Sequence, residues 1–384
     1  MTEVTQSSRI LFVDRFRGLA VVAMFFVHTA VAWLQPRYRG GDYWYWSMKV
    51  SGLVAPSFLF LAGLAMVMAV WRVRAKGGDE RALRRHLVRR GFEIWALGYA
   101  LHFTFWALDH FWGPWTKSLR VDVLHCIGSG LVVLPWIAWP RRYNWSALAL
   151  FFLIAVLGQV FYYIPFQDHV PSALAGYVTL RSHQALFPVV PNWAWMALGL
   201  VVGGLWMPLK DRPEREVLFW VGLLAAMAVL QVTAFYSHWL YYYRPVYVAG
   251  LWGYGWPRRG LFHLVMIKAV LVLGLFALMR LAAVALDRLK HRPIVLLGET
   301  SLFVYSVHLM FVYHIGGKYL KRRLDPMWQF VGACILALVM FVLAVVWYRK
   351  RRAVRQWLDA AWSKGDILFA FFARLMGRKN HPLV

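Results

Sequence analysis

Asp14, Arg17 and His28 are the first residues in the chain that set reactive side chains in an unreactive background. They belong to "DRFRGLAVVAMFFVHTAVAWL", residues 14–34, which after its charged opening is one apolar run. Arg17 and His28 are eleven residues apart. Eleven steps of about 100° return to within roughly 20° of the start, so a helix shows both on one face, about 16 Å apart along its axis. Asp14 falls near the same stripe. A guanidinium at the rim suits bidentate contact with phosphate. An imidazole deeper in the helix suits the uptake and return of a proton near neutral pH. Ionisable groups inside a membrane helix are costly and mark pathways or sites. On spacing alone a plainer reading stays open: Arg17 as an interfacial anchor and His28 as a packed, hydrogen-bonded histidine.

Other candidates follow the same logic. "RVDVLHCIGSG" puts Arg120 and Asp122 at the mouth of a second apolar run, with His125 inside it. "ETSLFVYSVHLMFVYH" puts Ser301, Tyr305 and His308 on one helical face, because spacings of four, three and seven recur on one side. His102, His263 and Lys268 also lie in apolar runs. So many buried histidines exceed what packing requires. Paired metal-ligand spacings such as HExxH are absent, so no metal is expected. There is no P-loop, no GxGxxG after a strand and no nucleophile elbow, which argues against a nucleotide-driven pump. Cys126 and Cys334 both sit in apolar runs, and neither a disulfide framework nor a thiolate metal site is expected.

The elements that must position these groups are membrane helices. The 384-residue chain is 61% hydrophobic with a mean hydropathy of +0.52, far from a soluble average. Its formal charge of +26 could suggest nucleic acid. The cations lie in short loops beside apolar spans, where an anionic leaflet attracts them, so a lipid bilayer is the expected partner and nucleic acid is not. About twenty apolar residues cross the hydrocarbon. The expected fold is an all-α polytopic bundle of about ten transmembrane helices, near 16–35, 50–72, 90–108, 121–139, 145–164, 187–207, 217–236, 261–281, 294–315 and 328–348. Backbone pairing in lipid, with this composition and period, favours helices over a barrel. Lys and Arg concentrate on the segments that become cytoplasmic if both termini are inside, by about two to one, despite the basic outer loop "GGKYLKRRLD". The first span is expected to act as a retained signal anchor. Residues 1–352 read as one membrane domain and 353–384 as a cytoplasmic amphipathic basic tail lying on the leaflet. Gly63 and Ala65 in the second span suit close helix packing. The prolines and glycines of "FPVVPNWAWMALGLVVGG" suit either close packing or a broken helix lining a cavity. The aromatic outer loop "SHWLYYYRPVYVAGLWGYGWPRRG" reads mostly as an interfacial belt.

These stretches also carry a resemblance. "VDRFRGLAVVAMFFVH", "APSFLFLAGLAM", "RVDVLHCIGSGLVV", "PNWAWMALGLVVGG" and "LGETSLFVYSVHLMFVYH" stand in the order seen in the heparan-α-glucosaminide N-acetyltransferase-like family. That family sits within the wider transmembrane acyltransferases, with the bacterial sugar O-acyltransferases. The resemblance touches the first, second, fourth, sixth and ninth spans. Its most specific part is the opening D-x-x-RG followed by a histidine.

The resemblance implies an enzyme of the inner (plasma) membrane. It would take acyl-CoA, chiefly acetyl-CoA, as a cytoplasmic co-substrate and pass the acyl group to a sugar or glycan acceptor on the far side. His28 would be the base, with His125 and His308 as further catalytic candidates. Arg17, Asp14 and Arg120 would bind the cofactor, and Ser301 and Tyr305 would assist as donors. The loop "QPRYRGGDYWYWSMKVSG" carries no histidine where the lysosomal family member has its active one. That favours direct attack over a histidine-acyl intermediate. Two other classes compete: a transporter or flippase with a His/Arg-lined path, which predicts inverted repeats that the sequence does not display, and an assembly subunit whose polar groups only join helices.

Overall fold

The computed structural model describes the backbone of residues 10–109, 113–164, 168–241, 261–288 and 292–375, with side chains described to residue 351 except at 234–241, 261, 263, 284–288 and 292. Most of the aromatic outer loop, the end of the basic tail and the side chain of His263 lie outside the described residues. The described elements are α-helices with short 3₁₀ and π turns: α1 (Leu11–Trp33), α2 (Asp42–Ala75), α3 (Glu80–Leu108), α4 (Val123–Ile137), α5 (Trp145–Tyr163), α6 (Ser172–Val178), α7 (Val189–Trp206), α8 (Pro213–Tyr241), α9 (Leu261–Arg288), α10 (Arg292–Glu299), α11 (Ser301–Leu309), α12 (Gly316–Leu320) and α13 (Pro326–Leu375). Seven are long and apolar enough to cross a membrane, or eight with one bent pair counted as a span. The chain is therefore a multispanning membrane protein of the all-helical class. Two of the expected spans differ in kind: α3 begins with the polar "ERALRRHLVRR", and α4 has only 15 residues. Short links make α1 and α2, α2 and α3, and α7 and α8 antiparallel. Below, "proximal" denotes the end where α1 begins and "distal" the end where it finishes.

α1 is the central element and touches α2, α9, α10, α11, α12 and α13. Its first turns feed an aromatic core in which Phe12 and Phe16 meet Trp206, Trp220 and Phe276. Its later turns, Val21, Met24, Phe25 and Trp33, belong to a second core with Val304, Val312 and Met340. Residue 28 lies on the part of α1 that faces this second group.

The stretch expected as one span over 294–315 is broken. α10 and the helix after it meet at an angle of 82° at Thr300. Hydropathy cannot see this break because both arms are apolar; the only trace is the polar "GET" between them. The crossing of α10 over α1 explains the geometry. A Cβ on Gly18 would strike the carbonyl of Ile294, and one on Gly298 would strike the carbonyl of Asp14. The two backbones are thus in direct contact, as small residues permit in membranes. α2 and α7 cross in the same way at Gly63 and Gly199, the close packing the sequence suggested.

Both ends are tied by polar groups. At the proximal end Arg74 donates to Glu80 through Nε (2.7 Å) and Nη2 (3.0 Å), and Trp139 Nε1 donates to the same carboxylate at 2.6 Å. Arg280 binds the buried Glu216 in the same two-point way, at 2.9 and 2.8 Å, beside the indoles of Trp206 and Trp220. At the distal end Leu34 and Leu324 form a bridge, and Trp33 Nε1 donates to the Val312 carbonyl at 2.9 Å. Val312 lies in a π-helical stretch, Met310–Ile315, whose wider turn alters the ordinary i→i−4 ladder.

Two outcomes test this description. Gly18→Val drives a side chain into the α10 backbone, which cannot rotate away, and is expected to cost at least ~2 kcal/mol, read as a lower melting temperature of the detergent-solubilised protein. Hydrogen bonding from Arg74 holds the Glu80 carboxyl below its usual pKa. Its contribution is complete above the ordinary carboxylate range and fades as pH falls through the lowered folded value. Glu80→Gln should melt below wild type at neutral pH, by an amount kept near ~1 kcal/mol by solvent screening, and the two curves should converge in acid.

Candidate functional site

His28 lies three turns beyond Arg17 on α1, and His308 lies at the end of α11. The bend at Thr300 turns α11 so that the two rings meet. His308 Nε2 stands 3.0 Å from His28 Nδ1, and His308 Nδ1 stands 3.1 Å from the Val304 carbonyl. His308 is fully buried and His28 is 8% exposed. A carbonyl only accepts, so the proton of neutral His308 sits on Nδ1. Its Nε2 must then accept, and His28 Nδ1–H donates to it. The neutral pair therefore leaves the proton-accepting lone pair of His28 on Nε2. Phe25, Tyr305 and Tyr313 pack their rings around the pair at 5.5–5.7 Å.

His28 and Tyr305 line a cavity of about 410 Å³, including its open mouth, with Ser51, Ala55, Phe187 and Val123 among the other walls. A second cavity of about 590 Å³, including its open mouth, is lined by Asn192, Trp195 and Lys268 and shares Ser51, Ala55 and Phe187 with the first. The two thus adjoin. The start of α7, where Val190 leaves helical geometry, forms part of this wall, so the proline-rich "FPVVPNW" does border a cavity.

A third cluster lies beside the first cavity. Asp122 caps α4, accepting from Leu124 N–H (2.9 Å) and His125 N–H (3.3 Å). His125 Nδ1 lies 2.8 Å from Asp122 Oδ1 and 3.1 Å from the Asp122 amide nitrogen. One ring nitrogen serves only one of these neighbours at a time: protonated it donates to the carboxylate, unprotonated it accepts from the amide. Gly98 on α3 makes room for this ring, because a Cβ there would lie 2.7 Å from His125 Cε1. His102 Nε2 approaches Asp122 Oδ2 to 3.4 Å, an ion-pair distance without hydrogen-bond alignment. Donor atoms of His102, Asp122 and His125 come within 4.8 Å of one another, so these three residues have the ligand chemistry to hold a divalent cation. The adjoining segment 184–187 is fastened to them: Val121 N–H donates to Gln184 O at 2.8 Å, and Phe187 N–H to Val121 O at 2.9 Å.

The remaining candidates stand apart. Arg17 Nη1 donates to Asp14 Oδ1 at 3.2 Å, and both occupy the proximal part of α1. Arg15 is the buried arginine of this motif, at 4% exposure, whereas the Arg17 side chain is 25% exposed. Arg120 is exposed near the distal end. Ser301 opens α11, one turn before Tyr305. None of Arg17, Arg120 and Ser301 lines either cavity. The pairing of His28 with His308, 280 residues apart, and the convergence of His102 on Asp122 have no signal in local spacing.

The family model described as heparan-alpha-glucosaminide N-acetyltransferase, catalytic, matches residues 9–243, which include His28, His102, Asp122 and His125. The human heparan-alpha-glucosaminide N-acetyltransferase is 26% identical over 209 residues, covering 52% of this chain and 25% of the human protein. The mouse protein of the same name is 32% identical over 103 residues, covering 25% of this chain and 14% of its own length. The chain thus matches a quarter or less of these relatives' length. With the family model spanning more than half of it, the chain belongs to the heparan-α-glucosaminide N-acetyltransferase catalytic family.

Proposed function

We propose that the protein is an integral-membrane acyltransferase that moves an acetyl group from cytoplasmic acetyl-CoA to a sugar or glycan acceptor on the opposite side. In this reading the chain crosses the inner membrane about ten times with both termini cytoplasmic, so the proximal end faces the cytoplasm. The observation that carries the reading is the His28–His308 pair at the wall of a cavity, with His28 inside the part of the chain that matches an acetyltransferase family. The relatives' name makes a glucosaminide amine the first acceptor to test.

CoA phosphates would meet cations at the proximal end, with Arg17 held in place by Asp14. The pantetheine arm would rise along α1, where the helical rise separates Arg17 from His28 by about 16 Å. The acceptor nitrogen or oxygen attacks the thioester carbonyl carbon while its proton passes to His28 Nε2. Collapse of the tetrahedral intermediate breaks the C–S bond, and His28 returns the proton to the departing thiolate. His308 accepts from His28 Nδ1–H, fixing the tautomer and spreading the imidazolium charge as it forms. The Tyr305 hydroxyl is the cavity-lining donor suited to the oxyanion. His125, held by Asp122, stands behind the cavity wall and positions it rather than touching the reacting atoms.

A transporter reading would make the same histidines a proton path. The two adjoining cavities at the wall bearing His28 favour transfer between two bound substrates.

Purified His28→Ala, still monodisperse, should lose at least ~100-fold in label transfer from [¹⁴C]acetyl-CoA to glucosamine. Undiminished transfer would remove His28 from the chemistry, and substrate flux without CoA release would replace the enzyme with a transporter. His308→Ala should lose roughly 10–100-fold, while His308→Gln, whose amide oxygen can take the His28 Nδ1–H, should keep more activity. If the two variants are equally impaired, His308 acts only through packing.

A further inference from the structure

Lys268 is hard to explain as a packing residue. It lies about two turns inside α9 from its distal end, on a helix apolar enough to cross a membrane over 264–283. A lysine serving only as an interfacial anchor sends its ammonium outward to the headgroups. Lys268 instead lines the larger cavity, among Trp195, Phe187, Pro191 and Asn192. Among the described residues no carboxylate lies within ion-pair distance of it.

Another intramembrane charge shows how this chain treats a cation it uses for structure. Arg280 is clamped by Glu216 at two points. Among the described residues Lys268 has no such carboxylate, and its cavity shares the wall residues Ser51, Ala55 and Phe187 with the one bearing His28. The rest of the lining suits an oxygen-rich ligand. Asn192 donates its Nδ2 to Pro188 O, which leaves its carbonyl oxygen to accept. Pro56, which has no N–H, leaves the Gly52 carbonyl without its i+4 donor. An ammonium between hydroxyl-accepting oxygens is a setting for a sugar-sized molecule carrying a negative charge.

We propose that the Lys268 cavity is a substrate subsite that holds a carboxylate or sulfate group while the reacting atoms lie at His28. This rests on the acyltransferase reading above. The negative group can come from an acidic or sulfated sugar acceptor, or from the far end of a dicarboxylic acyl chain such as succinyl. In both cases the charge sits one cavity away from the carbonyl undergoing attack.

Chemical protection tests occupancy without requiring turnover. Wild-type protein in detergent is treated with an amine-acylating reagent, and modification of Lys268 is read by mass spectrometry. Glucosamine 6-sulfate should slow that modification several-fold relative to unsulfated glucosamine, in wild type and in His28→Ala alike. Equal modification rates with both sugars and with succinyl-CoA against acetyl-CoA would overturn the proposal. Because His28→Ala is included, a failure of the base assignment leaves this outcome readable. Turnover then separates the two sources. In Lys268→Met the ratio of kcat/KM for glucosamine 6-sulfate to that for glucosamine should fall at least tenfold if the acceptor supplies the charge. The ratio for succinyl-CoA to acetyl-CoA should fall instead if the acyl chain does. Lys268→Arg should keep whichever preference wild type shows. If Lys268→Met retains both wild-type ratios, the lysine selects no anion.

Discussion

The contact between the backbones of α1 and α10 is the constraint on which the site depends. Gly18 and Gly298 let the two chains touch, which fixes where α10 ends and therefore where the 82° bend at Thr300 begins. The bend aims α11 back along α1, and His308 arrives at His28 two turns later. Any side chain at the crossing would lift α10 and move His308 with it. A hydrogen bond of 3.0 Å tolerates little of that movement. The glycine of the "DRFRG" motif thus acts on the chemistry from a distance, through rigid helices. The arginine and aspartate of the same motif pair with each other nearby.

Polar groups in this bundle fall into two kinds, and their partners separate them. Glu216 is saturated by Arg280, Trp206 and Trp220; Gln329 donates to Thr29 and accepts from Tyr43. Those groups join helices and line neither of the two cavities, as expected where an unsatisfied group in hydrocarbon is costly. His28, Tyr305 and Lys268 are different: each lines a cavity. The His102–Asp122–His125 cluster lies between the two kinds. It caps α4 like a structural group, yet it also fastens the segment that carries Phe187 into both cavity walls.

The membrane class was legible because apolar runs of span length have no other home, and the order of the glycine- and histidine-bearing motifs pointed to the family that the comparison supports. Helix ends were not. α2 runs from Asp42 to Ala75, well beyond the apolar 50–72, because its polar turns continue the helix outside the hydrocarbon. The bend at Thr300 was hidden for the opposite reason, since both arms are equally apolar. His28, His125, His308, Arg17, Asp14 and Tyr305 each drew notice from burial or face. Which of them meet was not readable, because the His28–His308 contact joins the two ends of the chain and depends on a backbone crossing. Lys268 was visible as a charge in a span, but only the cavity gave it a neighbourhood.

The wall shared by the two cavities bears most directly on how the parts work together. Phe187 is held by the Val121 carbonyl, one residue from Asp122, and Ser51 and Ala55 come from the distal half of α2. The cap of α4, the entry to α7 and the start of α2 therefore converge on the wall common to the cavities of His28 and Lys268. A molecule spanning both cavities would touch all three at once. A cation in one cavity and a base in the next, with a mostly apolar wall in common, separate recognition of charge from transfer of a proton. That separation has a physical advantage. A fixed positive charge beside His28 would oppose formation of the imidazolium, whereas the same charge one cavity away can orient a substrate with less cost to the base.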